Sequence, residues 1–160
     1  MELRGSLLAL RSIARRVLQL MTEERELARE LETLIRTLAP QLLDQPGIGP
    51  HAAAQLVLSW SHSGRIHSEA AFARLAGAAP MPASSGQTIR YRLDRSGDRK
   101  LNRALHMILV TRKRTHPATT TYIERRLAEG KTRREANRCL KRYLARSLYR
   151  VLEQGPPLPT

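Results

Sequence analysis

Apolar residues recur at alternating steps of four and three through the first 38 residues: Leu3, Leu7, Leu10, Ala14, Val17, Met21, then Ala28, Leu31, Ile35 and Leu38. Glu24 interrupts the series once, and Gly5 is the only glycine or proline before position 39. Four-three spacing keeps one apolar seam along a helix and is the signature of a coiled coil. A helix of 38 residues extends about 57 Å at 1.5 Å per residue, more than one small domain needs. Its seam has to be laid on something. One reading is a coiled coil with a second copy or another domain; the other is an arm folded back on the later helices.

The remaining segments are punctuated by glycine and proline. Ala39-Pro40 ends the first helix, because the residue before a proline is pushed out of the α region. A short helix from Gln41 to Gln45 leads to Pro46-Gly47-Ile48-Gly49-Pro50, which opens a helix from His51 to Ser61. Ser63-Gly64 closes that helix. Ser68 then caps Glu69 to Ala76, with Gly77 as its stop. Pro80, Pro82, Ser84, Ser85 and Gly86 mark a loop, and Thr88 to Leu93 alternates, which allows a short strand. Gly97-Asp98 starts a helix from Arg99 to about Arg114, with Leu101, Ala104, Leu105, Ile108 and Leu109 as its apolar stripe. His116-Pro117 breaks it before a helix from Thr119 to Ala128, capped by Gly130. Thr132 with Glu135 three residues on is a capping box. Ala136, Cys139, Leu140, Tyr143, Leu144, Leu148, Val151 and Leu152 form the apolar face of the helix it starts. The expected fold is mainly α: a coiled-coil helix over 1–38, a compact helical domain over 39–155 and a disordered tail over 156–160.

The turn at 46–50 carries the first chemical signal. Glycines leave no side chain in the way of an approaching backbone. Amides of Gly47, Ile48 and Gly49, with the first turn of the next helix, form a small positive nest that suits a phosphate oxygen. Residues 41–61 resemble a helix-hairpin-helix, a module that grips the DNA backbone without reading sequence. A plain glycine turn between packed helices is the alternative.

Charge favours the first reading. The chain carries a net charge of +14 and a pI near 11.3. Residues 1–80 contribute a net of only +1, so residues 81–160 hold almost all of the surplus, nineteen Lys and Arg against six acids. Such asymmetry points to a polyanion partner. Cys139 is the single cysteine, which excludes a disulfide or a cysteine-based metal site within the chain. His51, His62, His67, His106 and His116 lack metal-ligand spacing, as do Asp44, Asp94 and Asp98. No apolar run approaches the ~18 residues of a membrane span. Arg4, Arg11, Arg15 and Arg16 break up what could otherwise pass for a signal peptide. A cytoplasmic, nucleoid-associated protein without a membrane is expected. Tyr91, Tyr122, Tyr143 and Tyr149 come without the Arg/His constellation of a tyrosine recombinase and read as core or phosphate-contact residues.

The order of segments is itself informative. The hairpin is followed by Phe72-x-x-Leu75-x-Gly77-x-x-Pro80, then Ser84-Ser85-Gly86. Arg95-Ser96-Gly97-Asp98-Arg99-Lys100-Leu101-Asn102-Arg103-Ala104-Leu105 and the basic helices come next. This series resembles the C-terminal transposase domain of the insertion sequence 110, 116 and 902 family over about residues 40–153. The resemblance implies a larger enzyme in which an N-terminal RNase-H-like domain supplies acidic metal ligands. The C-terminal domain, joined through a coiled coil, supplies a serine that becomes covalently linked to DNA. It also implies a structured noncoding RNA as guide. On this reading the chain corresponds to the C-terminal half, so a divalent metal such as Mg is expected only with the acidic domain.

In the family pattern the nucleophile is the serine directly before the glycine, Ser85, with Ser84 as the alternative. A serine hydroxyl needs its proton removed and the phosphate charge offset. Arg90, Arg92, Arg95, Arg99, Lys100 and Arg103 are the candidates for that offset, beside the turn residues Gly47, Ile48 and Gly49. The competing readings are a non-catalytic helix-hairpin-helix module that coats DNA or RNA, and a small basic RNA-associated protein.

Overall fold

The computed structural model describes residues 2–82, 91–93 and 96–155. Among them are seven helices and one two-stranded ribbon: α1 Glu2–Leu38, α2 Pro40–Leu43, α3 Pro50–Trp60, α4 Glu69–Leu75, β1 Pro80–Pro82, β2 Tyr91–Leu93, α5 Arg99–Thr115, α6 Pro117–Ala128 and α7 Arg133–Gln154. The expected tail 156–160 lies outside the described residues.

Local chemistry accounts for most helix boundaries. Ser68 Oγ accepts the Ala71 amide at 3.1 Å and starts α4. Asp98 accepts the Lys100 and Leu101 amides at 2.8 and 3.1 Å and starts α5. Thr132 and Glu135 form the reciprocal capping box of α7. Pro50 and Pro117 stand at the first positions of α3 and α6, where a missing N–H costs nothing. α6 therefore begins two residues earlier than the break at Pro117 implied.

The core is the meeting of buried stripes. Ala53, Leu56, Val57 and Trp60 of α3 recur at helical spacing and face Leu101, Leu105 and Ile108 of α5. Leu144, Leu148 and Leu152 of α7 and Phe72 of α4 complete it. Side-chain hydrogen bonds fasten the rim: Trp60 Nε1 and Ser63 Oγ donate to Glu153 of α7 at 2.7 and 2.6 Å, and Tyr149 Oη donates to the Ile66 carbonyl. Arg65 donates to the Ser59 and Trp60 carbonyls and closes the C-terminus of α3.

Only the end of α1 joins this core. Ile35 is buried and Ala28, Leu31 and Leu38 are half-buried where the helix crosses α3. Before that, Leu3, Leu7, Leu10, Val17 and Met21 are exposed. A second seven-residue series, Ile13, Leu20, Leu27 and Leu34, is 46% to 66% exposed along the whole helix. The apolar stripe is thus wider than one seam, and one of its flanks stays uncovered even where the other packs on α3.

Two features depart from the expected pattern. Pro80–Pro82, read as loop, forms β1, because it pairs antiparallel with β2 in the register Pro80 to Leu93, Met81 to Arg92 and Pro82 to Tyr91. Tyr143, read as part of the apolar face of α7, is 63% exposed. The helix buries Ala136, Leu144, Ala145, Leu148 and Leu152 instead, which turns Tyr143 out of the core.

Candidate nucleic-acid interface

The hairpin turn is clamped on α5. Gly47 has φ +74, and a Cβ there would lie 2.9 Å from Arg112 Cγ and 3.2 Å from the Ile108 carbonyl oxygen. Glycine is required both by conformation and by closeness. Arg112 Nε donates to the Pro46 carbonyl at 2.6 Å, and burial pulls its guanidinium below its ordinary pKa. Ile48 is 8% exposed and anchors the turn in the core. Its amide is used within the turn, donating to the Gln45 carbonyl at 3.2 Å. Gly49 has an extended φ of −100, is exposed, and has open space where a Cβ would sit. The turn therefore packs its first glycine against α5 and leaves its second exposed. α2 is a single four-residue turn, so the two flanking helices are very unequal.

A second basic region lies at the start of α5. Arg99, Lys100 and Arg103 are exposed there. The ribbon is rooted beside them. On its entry side, Ala78 and Ala79 amides donate to the Ala73 carbonyl at 2.9 and 3.2 Å. On its exit side, the Asp98 amide donates to the Leu75 carbonyl at 2.7 Å, and Asn102 Nδ2 donates to the Ala76 carbonyl at 2.6 Å. At Gly97 a Cβ would come within 2.7 Å of the Gly77 nitrogen, so the crossing of the two segments admits no side chain. Ser84, Ser85, Arg90 and Arg95 lie outside the described residues; Arg92 sits in β2 opposite Met81.

Asp98 holds this junction. Burial alone would raise its carboxyl, but the Ser59 hydroxyl at 2.6 Å and the Leu101 and Lys100 amides outweigh it and keep it below 3.8. Ser59 is itself buried in α3 and takes a hydrogen bond from Gln55 at 2.9 Å. The start of α5 is thereby fixed to the helix that follows the hairpin.

Ile108, under Gly47, is nine residues from Arg99, or two and a half turns, so Arg99 leaves α5 opposite the turn, whereas Lys100 lies about 80° from Ile108 around the helix. The structure joins the turn and the ribbon root through one helix. Arg112, which fastens the turn, was not singled out by sequence; its role depends on tertiary contact alone. Among the described residues no three His, Cys, Asp or Glu side chains are grouped to hold a metal ion, and no helix is long and apolar enough to cross a membrane.

Comparison with known proteins agrees with the order of segments. Residues 39–124 match the transposase IS116/IS110/IS902 family, covering the hairpin, the ribbon, α5 and part of α6. The 43.6 kDa uncharacterized protein of insertion element IS110 from Streptomyces coelicolor is 31% identical over 147 residues. That alignment covers 90% of this chain and 36% of the relative, so the chain spans about a third of the relative's length.

Proposed function

This chain belongs to the transposase IS116/IS110/IS902 family, and from that premise we propose that it presents Ser85 to a DNA phosphodiester during transposition. The observation that carries the reading is the root of the ribbon. Residues 83–90, with Ser84 and Ser85, connect Pro82 to Tyr91. The residues that flank the two strands, Ala78, Ala79 and Asp98, are hydrogen-bonded to α4 at its junction with α5, where Arg99, Lys100 and Arg103 are exposed. Those cations, with Arg90, Arg92 and Arg95, offset the charge that builds on a phosphate under attack.

The step is a transesterification. The Ser85 oxygen bonds to phosphorus, a bridging P–O bond breaks, and the departing deoxyribose oxygen takes up a proton. Ser85 is then a phosphodiester to DNA. The turn at Gly47 and Gly49 grips a different stretch of DNA backbone, with Ile48 as its core anchor. A divalent metal and a guide RNA belong to the rest of the reaction system, the metal with an acidic domain. α1 supplies self-association through its exposed apolar stripe.

The test is Ser85→Ala in a reconstituted transposition system. Strand transfer falls by a factor on the order of 10³ or more, while DNA affinity is unchanged. Retained transfer rejects Ser85. A non-catalytic module is the alternative: there Ser85→Ala is silent in every assay, and charge reversal at Arg90 and Arg92 alone weakens binding.

A further inference from the structure

The side of α7 that turns away from the core carries Arg142, Tyr143, Arg146 and Arg150, at the three- and four-residue steps of one helix face. α6 sets Tyr122 and Arg126 opposite them, and the two helices enclose an open cleft of about 420 Å³. Among the described residues no carboxylate lines it. The acids at its edge are outnumbered. Glu69 receives both Arg146, through Nε at 2.9 Å, and Arg150 at 3.0 Å. Glu129 receives Arg126 at 2.8 Å and also pairs with Arg125 at 3.9 Å. Arg142 is exposed and has no ion-pair partner among the described residues.

The two rings differ in what they are free to do. Tyr122 is occupied: the Arg125 and Arg126 guanidiniums lie 5.3 and 5.1 Å from its centroid, and Arg126 Nε donates to its hydroxyl at 3.1 Å. Tyr143 is held at its Cα by a rigid helix yet leaves most of its ring in water. An exposed ring beside Arg142, which has no ion-pair partner among the described residues, and beside Arg146 and Arg150, which share one carboxylate, offers a stacking face and a phosphate site on one helix face. An unpaired nucleotide needs both. A duplex can use only the charge, because its bases are already stacked on each other.

We propose that the α6–α7 cleft binds an unpaired nucleotide of a single strand, base on Tyr143 and phosphate on Arg142 and Arg146. The assignment rests on the reading that this chain handles nucleic acid, but it uses none of the residues placed at the hairpin, the ribbon or the start of α5. The chemistry is common to single-stranded DNA and RNA.

The test is fluorescence anisotropy of the 160-residue chain with unstructured single-stranded DNA, unstructured RNA and duplex DNA. Arg142 and Tyr143 are exposed, so Arg142→Ala and Tyr143→Ala leave the fold intact, which thermal melting verifies. Stacking of a base on an aromatic ring corresponds to about tenfold in affinity or more. Tyr143→Ala is expected to weaken single-strand binding by about that factor and leave duplex binding unchanged, while Tyr143→Phe restores it. The stronger of the DNA and RNA arms identifies the natural strand. Unchanged single-strand affinity, absence of single-strand binding, or equal loss on duplex overturns the proposal. Arg99→Glu with Arg103→Glu reads the other site: duplex binding unaffected by that pair counts against the α5 interface and leaves the cleft standing.

Discussion

At the scale of single residues, the molecule depends on a few positions where one atom more or less decides the local structure. Gly47 is the plainest. Gly47→Ala forces a side chain into the left-handed region and against the Arg112 stem and the Ile108 carbonyl. Destabilisation of about 1–3 kcal/mol is expected, read as a lower denaturant midpoint; an unchanged midpoint means the turn is not clamped on α5. Three carboxylates supply a pH dependence. Arg146 hydrogen-bonds Glu69 and holds it below 4.5. Burial would raise Glu153, but Ser63, Trp60 and the Gly64 amide outweigh it and hold it below 4.5 too. Asp98 stays below 3.8. Each group binds its proton more weakly folded than unfolded, so its contribution is complete above the ordinary pKa and fades as pH falls through the folded one. The melting temperature should therefore hold at neutral pH and drop below about pH 4.5. Glu153→Gln should flatten that drop, and a melting curve equally steep in the variant removes Glu153 from the account.

At the scale of elements, what could be read from sequence follows how local the cause is. The caps Ser68, Asp98 and Thr132 act within three residues of themselves, and each stands where sequence places it. The α5 stripe from Leu101 to Leu109 is equally legible, because one helix face repeats on its own. β1 is not, since Pro80–Pro82 becomes a strand only by pairing with residues eleven or so positions away. Nor is the exposure of Tyr143, which depends on where α6 and α4 settle against α7. α1 lies between these cases. Its helix was legible, whereas the uncovered flank of Ile13, Leu20, Leu27 and Leu34 shows only once α3 takes the other side. If that flank joins copies of the chain, Leu27→Lys with Leu34→Lys lowers the mass seen by light scattering without changing the melting temperature. A mass that does not move assigns the flank to another partner.

At the scale of the whole molecule, α5 is the shared strut. The hairpin turn is clamped to one of its faces through Arg112, the ribbon is rooted at its first turn, and α7 packs along it. The family match, residues 39–124, spans the turn, the ribbon and α5 but not α7. Under the function proposed above, the turn and the ribbon root hold a duplex from separate parts of one rigid helix while a hydroxyl is brought to a phosphate beside it. The most direct check on that arrangement is a covalent adduct. A reconstituted transposition reaction is quenched in denaturant, digested with protease and nuclease, and mapped by mass spectrometry. A nucleotide attached to the peptide containing Ser85 is expected, with no adduct in Ser85→Ala. An adduct on another residue, or one that survives the substitution, contradicts the proposed function.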